Sequence, residues 1–423
     1  MTRSSSLPPD RAAARRRTMG VLVGGVALGS TGHIAAVTVT SLVAEDLGER
    51  SLAGVPAAAV VFGAAVGATL LGAAMGRWGR RRGLAAGYGI GVAGAFVAVL
   101  GIVAGSLPIV LLGSVAIGFG NSSNQLSRYA AADMYPSDRR ASAIGTVVWA
   151  ATVGAVVGPN LVDPSGTVAV ALGLPRLAGP FLVPVVLVAL AGMLSFGLLR
   201  PDPGELADRS AFDEENPIAG RLGEILRRPA VALAVLALVA VQFVMVLIMT
   251  MTPLHMSDHG HELGSVGLVI SAHTFGMFAL APVSGRLTDR FGALPVIFAG
   301  TAIVALSGIL SAVAPPEAEL GLLVALFLLG WGWNLGFVAG SALLTGGVSA
   351  VERARVQGLA DALIWSTAAI ASLGSGVLLA GAGYGSLGIV GAVIVGLVGG
   401  ALLLGRGALG RPVVARGVEP IIE

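Results

Sequence analysis

The chain of 423 residues contains no cysteine and no lysine. Without cysteine it can form no disulfide bond, no thiolate nucleophile and no cysteine-ligated metal site. Without lysine it cannot contain the phosphate-binding loop that ends in Gly-Lys-Ser or Gly-Lys-Thr, which argues against ATP-driven pumping. A nucleophile elbow and a zinc-protease motif are also absent from the sequence. We therefore expect a protein that is not an enzyme and that has no cofactor.

Charged residues are scarce at 12%, whereas hydrophobic residues make up 55% and the mean hydropathy is +0.87. This balance is typical of a membrane protein. The low aromatic content of 5% and the lack of ten-residue alternation argue against a transmembrane β-barrel. About twelve apolar runs are long enough to cross a bilayer as helices. They lie near residues 19–43, 52–75, 83–106, 108–132, 141–162, 175–199, 230–253, 264–284, 294–314, 320–345, 356–380 and 384–405.

The 26 basic residues are all arginine, and their distribution predicts the orientation of the helices. With a cytoplasmic N-terminus, the loops on the outer side contain only Arg50 and Arg176. Residues 1–18 and 406–423 then form cytoplasmic tails of a multi-pass cell-membrane protein, and the sequence pI of about 9.9 reflects this topology rather than nucleic-acid binding. The first apolar run is too long for a removed signal peptide. The lack of lysine beside abundant alanine, glycine and arginine suggests a GC-rich bacterial genome.

Three short patterns recur at a spacing of about 213 residues, which indicates an internal repeat. "GAAMGRWGRRRG" at 72–83 corresponds to "GRLTDRFGALP" at 285–295. "GFG" at 118–120 corresponds to "GWG" at 330–332, and "RASAIG" at 140–145 to "RARVQG" at 353–358. We therefore predict an all-α polytopic membrane protein with twelve transmembrane helices in two pseudo-symmetric six-helix halves, 19–199 and 230–405. Residues 200–229 form a polar cytoplasmic linker.

The first of these patterns resembles the Gly-x-x-x-Asp-Arg-x-Gly-Arg-Arg motif of the major facilitator superfamily, a family of secondary transporters. The resemblance implies that this loop holds adjacent helices together through charge pairs and tight glycine turns. Gly76 replaces the aspartate of the first copy, so Asp133 is the candidate partner for Arg80 or Arg81, and Ala293 replaces an arginine of the second copy. The alternative is that the arginines only fix topology. The matching residues are Gly72, Arg77, Gly79, Arg80 and Arg81 in the first half and Gly285, Asp289, Arg290 and Gly292 in the second.

The fifth helix, "GTVVWAATVGAVVGP", resembles the antiporter motif of exporters in this family through Gly145, Gly154, Gly158 and Pro159. Gly154 and Gly158 share one face, which lets a neighbouring backbone approach closely. Gly145 lies roughly opposite Gly154, so one contact face cannot explain all three glycines. Pro159 cannot donate a hydrogen bond to the preceding turn and predicts a bend. The resemblance implies proton-coupled export of a drug-like or metabolite substrate, and ordinary small-residue packing is the alternative.

The fourth helix is the most polar of the twelve. In "GNSSNQLSRYAAAD", Asn121, Gln125 and Arg128 follow an i, i+4, i+7 pattern, with Asn124 four residues before Arg128, so we expect all four to face one cavity. A charge within the membrane costs on the order of 2.5–3.5 kcal/mol on insertion scales, which favours a functional role. We predict that Arg128 binds an anionic group of the substrate, or an acidic partner in alternation with substrate. Snorkelling to the headgroups, or a structural ion pair with Asp361 or Asp133, is the alternative.

Ser114 occupies the position of the arginine that the fourth helix of this family usually carries. Other candidates for binding substrate or a coupling proton are therefore His33, His273 and Asp361 in the first, eighth and eleventh helices. A membrane histidine is as often hydrogen-bonded in the packing. Further polar or stacking contacts are expected from Gln242, Asn334 and Trp365.

The loop "HMSDHGHELG" contains four candidate ligands for a divalent metal ion, His255, Asp258, His259 and His261. A solvated external turn is the alternative and the more frequent outcome for such a loop. The pattern keeps open a second function, the transport or sensing of a metal or a metal chelate.

Taken together, these features predict a monomeric secondary transporter in the lipid bilayer that moves a small-molecule substrate by alternating access of its halves. Proton-coupled export is the leading prediction, and no nucleic-acid partner is expected. The alternatives are an ion-coupled importer or uniporter of a small metabolite and a non-transporting receptor or scaffold. The polar fourth helix disfavours a scaffold, because a scaffold has little reason to bear the insertion cost.

Overall fold

The computed structural model describes residues 9–47, 55–206, 222–261 and 263–409, and those residues contain no β-strand. Short helices cover Thr40–Asp46, Val162–Ala171, Leu222–Leu226 and Thr252–Asp258, with 3₁₀ turns at Ser137–Arg139 and Arg176–Ala178. The long helices are α1 (Pro9–Thr38), α2 (Val55–Trp78), α3 (Arg80–Val103), α4 (Leu107–Asp133), α5 (Arg140–Asn160), α6 (Gly179–Leu198), α7 (Pro229–Met249), α8 (Leu263–Phe278 and Ala281–Phe291), α9 (Ala293–Val313), α10 (Glu319–Gly346), α11 (Ala350–Ala382) and α12 (Tyr384–Leu409).

The prediction of an all-helical fold with twelve membrane helices is confirmed. Within the described ranges, 11 helical segments are long and apolar enough to cross a membrane. The remaining long helix, α4, has a sufficient length of 27 residues, but its polar residues lower its hydropathy. The helix that least resembles a membrane span is therefore the one that carries the predicted site.

Helix α1 begins about three turns earlier than expected, at Pro9 rather than near residue 19. The segment that follows is rich in alanine and arginine, which favour helix. Its arginines also pack on the bundle, since the guanidinium carbon of Arg15 lies 4.8 Å from the centre of the Tyr135 ring. Residues 9–18 of the predicted polar tail are thus part of α1. Residues 1–8, 207–221 and 410–423 of the predicted tails and linker lie outside the described residues.

Helix α8 is interrupted at residues 279–280, whereas the sequence predicted one continuous run over 264–284. Pro282 has no N–H group to donate to the carbonyl of Phe278, which weakens the helix at this point. The carbonyl of Met277 accepts a hydrogen bond from Asn334 Nδ2 of α10 at 2.6 Å. Asn334 Oδ1 in turn accepts a hydrogen bond from Ser284 Oγ at 2.5 Å. Asn334, predicted to contact substrate, is therefore engaged in bridging the interruption in α8.

The two halves pack closely at one end of the bundle, through contacts that the internal repeat relates to each other. A Cβ atom added to Gly72 of α2 would lie 2.7 Å from Gly358 Cα of α11, and one added to Gly285 of α8 would lie 2.6 Å from the carbonyl oxygen of Ala141 of α5. Only glycine allows such close approach of two backbones. We term the end where these contacts lie the arginine-rich face, and the other end the opposite face. The arginine-rich face includes Arg77, Arg80–Arg82, Arg139, Arg140, Arg227, Arg228, Arg286, Arg290, Arg353 and Arg355.

The three glycines of α5 contact two different helices. Added Cβ atoms would lie 2.6 Å from Ser30 Cβ at Gly154 and 2.9 Å from Ile34 Cβ at Gly158, so both glycines face α1 within the first half. Gly145 instead abuts the backbone of Ala281 in α8, across the boundary between the halves. Helix α5 ends at Asn160, directly after Pro159, and the short helix Val162–Ala171 follows it.

The glycine contact between α2 and α11 generates a prediction about closure of the arginine-rich face. We expect Gly358→Val to force the two helices apart, because an added Cβ would lie 2.9 Å from Gly72 Cα. The absence of native cysteine allows one reporter, Ala68→Cys, at a fully buried position of α2. Alkylation of this cysteine by a maleimide should accelerate several-fold in Gly358→Val. The matched control is Gly89→Val in α3, where an added Cβ meets nothing within 4 Å. Equal rates in all three proteins would contradict the prediction.

Candidate functional site

A buried ion pair between Arg128 of α4 and Asp361 of α11 joins the two halves. Arg128 Nη2 lies 2.5 Å from Asp361 Oδ1 and Nη1 lies 3.3 Å from Oδ2, so the contact is bidentate. Both side chains are 2% exposed. Arg128 Nε also donates to Ser341 Oγ of α10 at 3.2 Å, and these positions are 213 residues apart, the offset of the repeat. Equivalent positions of α4 and α10 therefore meet where the two halves meet.

The guanidinium of Arg128 lies between two aromatic rings. Its central carbon is 4.2 Å from the centre of the Tyr129 ring and 4.3 Å from that of Phe337. The Tyr129 hydroxyl accepts a hydrogen bond from Arg128 at 3.0 Å and donates one to Asp361 Oδ1 at 3.3 Å. Cation–π contacts and charge-assisted hydrogen bonds offset part of the cost of removing both charges from water.

Of the interpretations open for Arg128, the structure contains the pairing with Asp361. Arg128 lies five residues before the end of α4, which places it roughly 7.5 Å from that end along the helix axis. Its guanidinium turns towards the other half rather than towards the headgroups. Asp133 is engaged elsewhere, since Arg80 contacts it at 2.8 Å.

The aromatic stack continues from Phe337 to Trp333, which lies one turn closer to the N-terminus of α10. Their ring centres are 4.5 Å apart with an interplanar angle of 18°, and Phe278 meets Trp333 edge-on at 6.0 Å. The indole Nε1 of Trp333 donates to Gln242 Oε1 of α7 at 2.8 Å. We term the stacked groups Trp333, Phe337, Arg128 and Tyr129 the π row. Its three aromatic members were not predicted from the sequence, although Trp333, Phe337 and Ser341 lie at i, i+4, i+8.

The polar residues of α4 do not all face one cavity, so that prediction is wrong in part. Gln125 lies beside Arg128, whose Nη1 donates to Gln125 Oε1 at 3.3 Å. Asn124 instead donates to Asn121 Oδ1 at 2.9 Å and accepts a hydrogen bond from the Tyr88 hydroxyl at 3.0 Å. The short side chains of Asn121 and Asn124 bond to each other inside the first half, whereas the longer side chain of Arg128 reaches Asp361 of α11.

His33 borders this second polar group and His273 does not. With Asn121, Asn124 and Tyr88, His33 lines a cavity of about 10 Å³, which is close to the smallest volume that holds one water molecule. His33 Nδ1 is buried and has no hydrogen-bond partner among the described residues. His273 is fully buried, and its Nδ1 lies 2.9 Å from the carbonyl oxygen of Leu326, so it links α8 to α10.

Asp133 bridges the halves at the arginine-rich face. Arg80 Nε donates to Asp133 Oδ2 at 3.0 Å, and Arg353 Nη1 of α11 lies 3.5 Å from Asp133 Oδ1. Arg80 Nη2 also donates to Gln357 Oε1 of α11 at 2.5 Å. Arg80 is thus the residue that contacts Asp133, whereas Arg81 donates to the carbonyl of Phe196 at 3.3 Å.

The two copies of the family-like loop make different contacts. Asp289 accepts hydrogen bonds from the backbone N–H groups of Ala141 at 3.0 Å and Ser142 at 2.9 Å, so it caps α5 across the halves. Its repeat equivalent, Gly76, has no carboxylate. Helix α11 extends to Ala350 and has its own capping box, so the N–H groups that would correspond to those capped by Asp289 lie inside the helix.

The turns of both loops require glycine. Gly79 has φ +83° and Gly292 has φ +87°, values that other residues rarely adopt. Asp202, after α6, accepts hydrogen bonds from the N–H groups of Arg80 at 3.3 Å and Arg81 at 2.9 Å and thereby caps α3. A carboxylate from outside the loop therefore stabilises the turn in the half that contains Gly76, while Arg77 is exposed.

A crevice of about 570 Å³ separates parts of the two halves at the arginine-rich face. Arg139 of the first half and Arg286, Asp289 and Arg290 of the second line it, together with Tyr135. Burial raises the pKa of the Tyr135 phenol, and neighbouring arginines act in the opposite direction.

The metal-site hypothesis is wrong for the described residues, which contain no group of three or more histidine or acidic side chains placed to hold a metal ion. The His255 ring stacks on Tyr384 at 4.1 Å. His259 Nδ1 lies 2.7 Å from the carbonyl oxygen of His255, and His261 Nε2 lies 2.7 Å from that of Pro316. The rings of His255 and His259 lie 4.4 Å apart, and Asp258 lines the same groove, but the His261 ring contacts the carbonyl of Pro316 instead, so the candidate ligands do not converge on one point.

The sequence is similar to a family of membrane transporters and to individual members of it. The family described as Major Facilitator Superfamily matches residues 19–264 and 246–419. An uncharacterized MFS-type transporter of Bacillus subtilis (strain 168), YddS, is 37% identical over 90% of this chain and 88% of its own. The riboflavin transporter RfnT of Brucella anthropi is 34% identical over 92% of this chain and 95% of its own. The structure of the proton:xylose symporter XylE is similar in fold, with a TM-score of 0.76 and 16% identity over 93% of this chain and 96% of that one.

The Arg128–Asp361 geometry predicts strong coupling between the two residues. Arg128→Gln or Asp361→Asn alone leaves one buried charge without its partner, and each should lower the free energy of unfolding by about 3–5 kcal/mol. The double variant should lose much less than the sum of the single losses, because it leaves no unpaired charge. Denaturant unfolding of the purified protein in detergent measures all four proteins. Additive losses would show that the two side chains act independently.

The Asp289 cap predicts an asymmetric response of the two loops. Asp289→Ala should favour separation of α5 and α8, because loss of a helix cap costs about 1 kcal/mol, which corresponds to roughly a fivefold shift in the closure equilibrium. Asp289→Asn keeps an acceptor and should have a smaller effect. Gly76→Asp in the Asp289→Ala background should not restore closure, since α11 offers no free N–H group there. Alkylation of a cysteine at Ala281→Cys, a fully buried position of α8 that contacts Gly145 of α5, reports this separation. Restoration of protection by Gly76→Asp would refute the asymmetry.

Proposed function

The chain belongs to the Major Facilitator Superfamily, and we propose that it carries a small solute across the cell membrane by alternating access, in exchange for or together with protons. A family of membrane transporters accounts for the absence of enzyme motifs in the sequence. The single observation that carries the proton-coupled proposal is the buried Arg128–Asp361 pair between the halves. Asp361 is the coupling group, and Arg128 is the group that alternates between Asp361 and substrate.

The proposed cycle begins with the halves closed at the arginine-rich face. Asp133 between Arg80 and Arg353, the Asp289 cap on α5 and the glycine contacts hold this face shut. The distribution of arginine predicts that this is the cytoplasmic face, so the proposed cycle starts from a state that is closed to the cytoplasm. Separation of the Arg128–Asp361 pair frees the halves to rock, and closure at the opposite face then exposes the site to the cytoplasm.

The direction of coupling follows from which partner of the ion pair the solute replaces. A cationic solute that pairs with Asp361 excludes a proton from that carboxylate, which gives antiport and therefore export. This is the leading version, and the resemblance of Gly145, Gly154, Gly158 and Pro159 to the exporter motif supports it. Gly154 and Gly158 hold α5 against α1 while Gly145 contacts α8, so the motif lies where helices of both halves move.

A second version is import of a metabolite. A solute that accepts hydrogen bonds from Arg128 releases Asp361, which then gains a proton to avoid remaining as an unpaired buried charge. Solute and proton would thus bind together, which gives symport. Two observations favour this version: the guanidinium is the donor-rich partner of the pair, and a relative that is 34% identical is named a riboflavin transporter.

One experiment distinguishes the two versions. Inside-out vesicles containing the protein are energised with an acid lumen, and lumenal pH is followed while cationic drugs, organic anions, sugars, riboflavin and divalent metals are added in turn. An antiported solute will raise the lumenal pH as it enters, whereas a symported solute that has been preloaded will raise it as it leaves with protons. Asp361→Asn should abolish either signal. Asp163→Asn, which removes an exposed acid paired with Arg176 at the opposite face, should leave it intact.

If no compound alters the pH but labelled solute still equilibrates, the protein is a uniporter and the coupling proposal fails. If none is moved at all, the receptor or scaffold alternative takes its place.

A further inference from the structure

Two amide groups of the site have orientations that their partners fix. The indole N–H of Trp333 can only donate, so the atom of Gln242 that faces it at 2.8 Å must be the oxygen. The guanidinium of Arg128 can also only donate, so the atom of Gln125 that faces it at 3.3 Å must be the oxygen as well. The NH₂ group of each glutamine therefore points away from its partner.

These two NH₂ groups have no acceptor within the part of the chain that the structure describes. Neither is sealed from solvent, although the Gln242 residue as a whole is only 5% exposed. The indole N–H of Trp365 is in the same situation, one helical turn beyond Asp361 on α11. The region around the π row thus contains several N–H donors that have no hydrogen-bond acceptor in the described part of the chain.

The acceptors of the same region are already occupied. Asp361 accepts from Arg128 and Tyr129, and the side-chain oxygens of Gln242 and Gln125 accept from Trp333 and Arg128. A sugar or other polyol needs acceptors for its hydroxyl protons as well as donors. A lipophilic cation needs a free carboxylate. Both fit less well than an acceptor-rich ligand in a site where the groups without a partner are all donors.

The π row adds a geometric requirement, because its members are flat and stacked. Trp333 and Phe337 are nearly parallel at 4.5 Å, and the planar guanidinium lies 4.3 Å from Phe337 and 4.2 Å from Tyr129. Such a row favours ligands with a flat conjugated face, since offset stacking contributes beyond the burial of area. Donors at its edge favour a ligand with acceptors around the ring.

We infer that the substrate is a flat conjugated ring system with carbonyl, ring-nitrogen or carboxylate acceptors at its edge, bound between the halves against Trp333 with the amides of Gln242 and Gln125 donating to it. This inference rests on the proposed transport function for its meaning but concerns binding alone. Of the two versions of coupling, it fits the import version better, because such a ligand accepts hydrogen bonds from Arg128 and the amides and does not need to pair with Asp361.

Binding to the purified full-length protein in detergent, measured by equilibrium dialysis, tests the inference directly. The probe is lumichrome, a flat tricyclic compound with ring carbonyls and ring nitrogens. The comparison probes are ribitol, a polyol without a ring, and tetraphenylphosphonium, an aromatic cation that is not flat and has no acceptor. We expect saturable binding of lumichrome and no saturable binding of the other two.

Variants identify the groups responsible. Gln242→Glu keeps the acceptor for Trp333 but removes the NH₂ donor, so lumichrome affinity should fall about fivefold, as expected for the loss of one hydrogen bond. Trp333→Leu should lower it by about tenfold through loss of the stacking face. Asn160→Asp, an exposed amide at the opposite face, is the matched control and should leave affinity unchanged. Gln242→Met provides a second test without an added charge in case Gln242→Glu misfolds.

The outcomes separate this inference from the transport proposal. Preferential binding of ribitol or tetraphenylphosphonium, absence of lumichrome binding, or lumichrome binding that Gln242→Met and Trp333→Leu leave unchanged would overturn the inference, while proton-coupled movement of another solute would leave the proposed function standing. Lumichrome binding that depends on both residues, in a protein that moves no solute, would support the site and refute the function.

Discussion

The arrangement of the two halves depends on one constraint, the cost of placing charge inside a membrane. Arg128 and Asp361 lie on different halves, and each is tolerable there because the other is present. The rings of Tyr129 and Phe337 and the hydroxyl of Ser341 complete the environment of the arginine. Any event that neutralises or replaces one partner removes the reason for the halves to stay together at this depth.

The arginine-rich face repeats this principle with weaker and more numerous contacts. Asp133 lies between arginines of both halves, and Asp289 caps α5 from the other half. The repeat would suggest two equivalent caps, yet Gly76 takes the place of the second acid. The longer α11, with its own capping box, makes that acid unnecessary. The face therefore closes through glycine contacts that are symmetric and charge contacts that are not.

Much of the fold could be predicted from the sequence, because membrane spans need long apolar runs and the repeat preserves spacing. The contact between Arg80 and Asp133 could be anticipated, since a buried arginine needs an acid and few acids lie nearby. The roles of Asn121 and Asn124 could not, because helical spacing gives the face of a residue but not the reach of its side chain. Trp333 and Phe337 were missed since aromatic residues in an apolar helix carry no distinctive pattern.

At the loop that contains the three histidines, the sequence suggested a metal site that the described residues do not form. Spacing alone allowed His255, His259 and His261 to share a metal ion, but in the structure only the first two rings lie together, and His261 contacts the carbonyl of Pro316. The interruption of α8 was likewise hidden within an apolar run, although Pro282 was its visible cause. Asn334 then acquired a role at that interruption that no sequence pattern indicated.

The most direct measurement is the distance between the halves at the arginine-rich face, with and without the central charge pair. Spin labels on cysteines introduced at the exposed positions Arg82 of α3 and Arg355 of α11 report that distance by pulsed electron paramagnetic resonance. We predict that Asp361→Asn shifts the distribution towards longer distances in the absence of any solute. A distribution unchanged from that of the unmodified pair would contradict the role of Arg128 and Asp361 in holding the halves together.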